Sequence, residues 1–148
     1  MFHEILAYFQ HQKWKYFLPE ADKTIAILGI NIEKGQFTCI LDVEEDNNKF
    51  IFFSIYPKLV PLELRNELGK LLLTINYRLY LGSFEMDFAN GEIRVKTSLI
   101  YDNLPVSKKI IGHLIEGNIS IMSQYFDLIH TLLAQKISLN QAIDKVNE

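Results

Sequence analysis

Apolar residues along the chain fall into two rhythms, one repeating every three to four positions and one alternating. Phe2, Ile5, Leu6 and Phe9 have helical spacing and predict an amphipathic helix over roughly residues 2–14. Trp14, Phe17 and Leu18 follow, and Pro19 breaks the pattern. Residues 24–32 and 36–44 alternate and read as two strands. With a turn at Lys34-Gly35, Ile32 faces Phe37, Ile30 faces Cys39, Leu28 faces Leu41 and Ala26 faces Val43. A three-residue loop with Gly35 in the left-handed region is the alternative, because Lys34 is a poor residue for positive φ. The polar run 45–48 leads into a third strand, 49–56. Phe50 and Phe52 point to one side of it; Ile51, Phe53 and Ile55 point to the other. A strand apolar on both sides calls for cover on both sides, from helices of this chain or from a second subunit.

Pro61 suits the first position of a helix, with Glu63 in its first turn. Leu64, Leu68, Leu71, Leu72 and Ile75 form its stripe, to about Tyr77. Residues 83–100 then read as a hairpin turning at Asn90-Gly91, the dipeptide best able to supply two positive φ angles. That turn sets Phe88 against Ile93, Met86 against Val95 and Phe84 against Thr97 on an apolar face. On the polar face it sets Asp87 against Arg94 and Glu85 against Lys96. Ser107 is the expected N-cap of a long helix to about Ala134. Its stripe is Ile111, Ile115, Met122, Phe126, Ile129 and Leu133, widened by Ile110, Leu114, Ile121, Tyr125 and Leu132. Gly112 and Gly117 each cost such a helix ~1 kcal/mol relative to Ala and suggest a close neighbour. A short helix capped by Ser138 closes the chain. The order α-β-β-β-α-β-β-α(-α) predicts an α+β fold with an antiparallel sheet of about five strands. No linker or repeat divides residues 1–148, so a single domain is expected.

Composition narrows the functions. A net charge of −3 speaks against nucleic-acid binding. The aromatics of the third strand lie beside Glu44, Glu45 and Asp46, with only Lys49 as a nearby base, which suits burial better than base stacking. The single cysteine, Cys39, excludes an internal disulfide and reads as a small buried hydrophobe. No apolar run approaches a membrane span, and the first residues, Met1-Phe2-His3-Glu4, do not resemble a signal peptide, so a cytoplasmic protein is expected.

Chemistry is sparse. Glu85 and Asp87 share a strand face but have cationic partners at Arg94 and Lys96, as structural ion pairs do. Asp42, Glu44, Glu45 and Asp46 cluster at a turn without the spacing or central Gly of a calcium loop. His3, His11, His113 and His130 lack zinc-site spacing. No phosphate loop, nucleophile elbow or dinucleotide fingerprint occurs. The residues therefore nominate no catalytic, metal or cofactor-binding site.

The stretch from Ile75-Asn76-Tyr77 through Gly82-Ser83-Phe84-Glu85-Met86-Asp87 to Gly91-Glu92-Ile93-Arg94 resembles the YbjN domain family, as do Asn118 and Met122-Ser123-Gln124-Tyr125. The resemblance covers about residues 60–130. It implies a fold similar to type III secretion chaperones, which commonly form homodimers and bind other proteins, and it brings no catalytic residues. It marks Asn76, Tyr77, Gly82, Phe84, Asp87, Gly91 and Ile93 as architectural. The functional expectation is a non-enzymatic protein-binding module, a homodimeric adaptor, chaperone-like or regulatory protein, with Ile51, Phe53 and Ile55 as the candidate partner or dimer surface. Its expected partner is protein, namely itself, and neither nucleic acid nor membrane. A small-molecule sensor or enzyme with an unrecognised pocket is the alternative, and a structural subunit of a larger assembly is a third reading.

Overall fold

The computed structural model describes residues 1–148. The chain runs α1 (Phe2–His11), β1 (Tyr16–Phe17), β2 (Ile25–Ile32), β3 (Gly35–Glu44), β4 (Lys49–Ile55), α2 (Arg65–Asn76), β5 (Ser83–Met86), β6 (Ile93–Ile100), α3 (Lys108–Leu133) and α4 (Leu139–Asn147). All six strands form one antiparallel sheet in the order β1-β2-β3-β4-β6-β5. The α+β reading stands, with six strands in place of five. The added strand is β1, a pair of residues whose Tyr16 and Phe17 lie opposite Leu28 and Ile27. Two residues are too few for a periodic signal, so the sequence pattern could not mark it.

The helices lie on one face of the sheet. Phe2, Ile5, Leu6 and Phe9 of α1 are buried, as are Leu68, Leu71, Leu72 and Ile75 of α2. They meet the inward residues of the strands, including Leu28, Cys39, Leu41, Phe50, Phe52 and Val95, in a single apolar core. On α3, Ile111, Leu114, Ile115, Ile121, Met122, Phe126, Ile129 and Leu132 join that core, whereas Ile110 is exposed. Ser107 caps α3 by accepting the Ile110 N–H at 3.2 Å. Ser138 and Gln141 form a capping box at α4. A Cβ at Gly117 would lie 2.5 Å from Leu81, and one at Gly112 would lie 3.3 Å from the Tyr8 hydroxyl, so each glycine meets a close neighbour.

Three local expectations are corrected. Pro61 precedes a short 3-10 turn, Leu62–Leu64, with ψ of 149°, and the α-helix starts only at Arg65. In the β2–β3 hairpin the turn is Glu33-Lys34, with Ile32 opposite Gly35, Ile30 opposite Phe37, Leu28 opposite Cys39 and Ala26 opposite Leu41. Every pair is two residues from the expected one. The β5–β6 hairpin differs in the same way: Met86 faces Ile93, Phe84 faces Val95 and Glu85 faces Arg94. The six residues Asp87 to Glu92 form its loop, and the expected Asp87–Arg94 pair is absent.

Side chains explain the wider loop. Asp87 Oδ1 accepts the Ala89 N–H at 2.8 Å, and Asn90 Oδ1 accepts the Glu92 N–H at 2.9 Å. Such local bonds offer the backbone an alternative to the ladder. The loop is also held from outside. Val60 N–H donates to the Gly91 carbonyl at 2.9 Å, and Arg65 donates to the carbonyls of Val60, Phe88 and Ala89 at 3.0, 2.9 and 3.3 Å. Gly91 has φ of +85°, and a Cβ there would strike the Val60 carbonyl. Replacing Gly91→Ala therefore combines left-handed strain with a backbone clash and should cost about 2 kcal/mol or more. A urea midpoint unchanged from the parent would contradict this account.

Candidate functional site

Two surfaces and one buried network hold the residues of interest. The buried network centres on Asn118, which has no solvent exposure. Its Nδ2 lies 2.8 Å from the Phe52 carbonyl, 3.2 Å from the Val95 carbonyl and 3.2 Å from Thr97 Oγ1, so its two protons serve three acceptors. Its Oδ1 accepts from Ser54 Oγ at 2.5 Å. Thr97 Oγ1 passes its own proton to the Leu114 carbonyl at 2.9 Å. Since the Ser54 proton goes to Asn118, the Cys39 thiol, 3.3 Å away, donates to Ser54. One amide thus ties α3 to β4 and β6 at once, and every polar group of this network has a partner, as burial demands.

Burial pushes the Cys39 thiol up to about 12. That makes it unreactive at neutral pH. An unfolded cysteine ionises near ~8.5. The folded state favours the neutral thiol, so this contribution to stability is whole below the lower value and declines as pH rises toward the upper one. A thiol-specific reagent should modify Cys39 only on unfolding; rapid native-state labelling at pH 7 would refute this.

The motif residues lie where α2, β5 and the loop after it meet. Asn76, the last residue of α2, donates from Nδ2 to the Phe84 carbonyl at 2.9 Å and accepts the Phe84 N–H on Oδ1 at 2.8 Å. Its side chain takes the place of a neighbouring strand at the outer edge of β5. Gly82 has φ of +72°, and a Cβ there would lie 2.9 Å from the Lys96 carbonyl. Phe84 and Ile93 are buried, while Asp87 and Gly91 shape the loop. Tyr77 has a different setting: its side chain is 93% exposed. Between α2 and β5 runs an open groove of about 370 Å³, walled by Leu72, Leu73, Phe84, Met86 and Phe88. Gly69 forms its floor, where a Cβ would touch the Phe88 ring at 3.0 Å. Leu73 of α2 and Leu62 of the 3-10 turn before it are 69% and 75% exposed.

The second surface is the sheet face that carries no helix. Cross-strand pairing sets Ile25, Asp42, Ile51 and Ser98 in one row. Phe17, Ile27, Ile40, Phe53, Lys96 and Ser83 form the next. Gly29, Thr38, Ile55, Arg94 and Glu85 form the third. Ile51, Phe53 and Ile55 are half-buried here, while Phe50 and Phe52 on the opposite side are fully buried. The Arg94 guanidinium lies 4.2 Å above the Phe53 ring. Glu85 accepts from Arg94 at 3.2 Å and is 2.6 Å from Lys96 Nζ. Burial raises the Glu85 carboxyl, but hydrogen bonds from Lys96 and Arg94 outweigh it and hold the group below its ordinary range. Of the two expected ion pairs, Glu85–Lys96 is present, as a diagonal contact beside the directly opposed Arg94.

The acidic turn has local roles. Glu44 pairs with Lys49 at 3.2 Å and accepts from Asn47, and Glu45 accepts the Phe2 N–H at 2.8 Å. No three His, Cys, Asp or Glu side chains gather as a ligand set for a metal. No helix is long and apolar enough to cross a membrane.

A family model for YbjN, described as "Putative bacterial sensory transduction regulator", matches residues 3–131. The chain belongs to the YbjN family. Among solved structures, YbjN from E. coli, described as "a putative transcription regulator", aligns with a TM-score of 0.63 at 15% identity, over 90% of this chain and 92% of that one. At that identity the likeness concerns the fold. No curated protein matches the sequence. The family match reaches back through α1 and the first strands, well before the motif-bearing stretch from which the resemblance was drawn. Arg65, which clamps the YbjN hairpin loop, carried no sequence signal, because an arginine in a helix's first turn reads as an ordinary surface residue.

The buried network gives a direct test of what holds α3 to the sheet. Asn118→Ala strands the carbonyls of Phe52 and Val95 and the Ser54 hydroxyl, and should cost about 3 kcal/mol. Asn118→Asp, which sets a carboxylate against those carbonyls, should be worse at neutral pH. Chemical denaturation of both variants checks the order, and a milder effect for Asp than for Ala would contradict the assigned donors.

Proposed function

We propose that this YbjN protein is a non-enzymatic, protein-binding module that acts as a homodimer in an adaptor, chaperone-like or regulatory role. The observation that carries the reading is the uncovered sheet face, with Ile51, Phe53 and Ile55 of β4 at its centre and Ile25, Ile27 and Ile40 beside them. A contiguous apolar surface of this kind, rimmed by charge, suits association with protein. The family's description as a regulator supports a role exerted through binding. The buried polar groups support the same view. Asn118, Ser54 and Thr97 are occupied with each other and with backbone, which leaves none directed at a substrate.

A second reading, a small-molecule sensor, rests on the groove between α2 and β5. Its about 370 Å³ falls within the range of ligand pockets. Its apolar walls suit an apolar ligand or side chain, with Lys70 and Asn66 at the rim.

Sedimentation across the micromolar range should show a monomer–dimer equilibrium. Ile51→Glu should weaken it by about tenfold or more, because a charge would be buried at the centre of the contact. A purely monomeric wild-type chain over that range would overturn the homodimer.

A further inference from the structure

The open face is charged asymmetrically about β4. On one side, Asp42 of β3 lies in register between Ile25 and Ile51. It has no ion-pair partner, since the chain's salt bridges involve other residues. On the other side, Arg94 and Lys96 of β6 share a single carboxylate, Glu85. The face therefore holds an unpaired anion one strand from β4 and a surplus cation one strand away in the opposite direction. Asp42 senses its setting: burial, then the charges of Asp22 and Glu44, raise its carboxyl above the ordinary range, and Lys49 offsets part of this.

Resting on the homodimer reading, we propose that two copies pack open face to open face about a twofold axis running along β4, so that Asp42 of each copy meets Lys96 of the other. Rotation about that axis carries β3 of one copy over β6 of the second and leaves β4 against β4. Asp42 then faces the row of Ser98, which is two residues from Lys96 on the same face. That separation is ~7 Å along a strand, within reach of a lysine side chain. Ile51, Phe53 and Ile55 from both copies fill the centre. The same axis sets Lys49 of β4 beside its own copy, each already paired with Glu44 at 3.2 Å, whereas an axis across the strands would set β6 over β6 and the surplus cation over its copy. Charge thus selects between the two symmetric packings, as it does at self-complementary interfaces. Six strands ~4.8 Å apart and the seven residues of β4 give a face of about 25 by 24 Å, on the order of 600 Å². Two such faces together bury about 1,200 Å², the lower end of the ~1,200–2,000 Å² of stable interfaces, when the sheets pack with strands crossing at about 30°.

The test uses the full chain in two charge-reversed forms, Asp42→Lys and Lys96→Glu, with sedimentation and native mass spectrometry as readouts. Each variant alone faces like charges twice and should dimerise at least about tenfold more weakly than the parent. Mixed, the two should recover a heterodimer of parental strength, because both contacts become complementary. Circular dichroism establishes that each variant is folded. Asp42→Asn and a salt series on the wild-type dimer supply independent readouts should a reversal disturb folding; both should weaken association. A wild-type dimer indifferent to these changes, or variants that do not pair when mixed, would overturn the packing and leave the homodimer standing. A wild-type monomer would sink both.

Discussion

The buried amide of Asn118 marks the place on which the architecture depends. The β2–β3–β4 part of the sheet is built from neighbours in sequence, and β5–β6 is a hairpin. The join between β4 and β6 is different, because α2 and β5 lie between them in the chain. At that join one side chain from α3 bonds to a carbonyl of each strand. A hydrophobic residue at position 118 could fill the space, but it would not discriminate between alignments of the two strands. A satisfied polar group does, because only one alignment puts the Phe52 and Val95 carbonyls and the Ser54 hydroxyl within its reach.

The rest of the layering follows from that fixed point. With α3 seated over β4 and β6, its stripe from Ile111 to Leu132 fills the middle of the core. α1 packs at one side through Phe9, whose ring meets Phe52, Trp14 and Tyr16. α2 and α4 close the other side. All the helices are then used on one face of the sheet, and the opposite face, with its aliphatic centre, is left without cover from this chain.

Alternation in the strands made facing legible, and facing came out as expected in both hairpins. Alternation has a period of two, so a shift of two residues keeps every side chain on its side. Register had to come from the turns, and there the deciding contacts are remote or local-polar. Val60 and Arg65 hold the second hairpin's loop from another segment, while Asp87 and Asn90 redirect their own backbone. Neither is visible in a pattern of apolar positions. The helices were legible because their stripes are long and their caps, Ser107 and Ser138, are local. Ile51, Phe53 and Ile55 could be picked out because a strand apolar on both sides is conspicuous in a sheet with helices on one. Asn76 carried only a family likeness, since an asparagine at a helix end does not announce which strand it will bond.

That asparagine has a wider consequence. A sheet with two free edges invites other chains to add strands, and such addition has no natural end point. Here one edge carries only the two residues of β1, soon followed by Pro19, and the other is stoppered at Phe84 by a side-chain amide. Growth by backbone pairing is blocked at both ends. What remains available is a face, and the twofold packing proposed for it closes after one partner instead of propagating into a fibre.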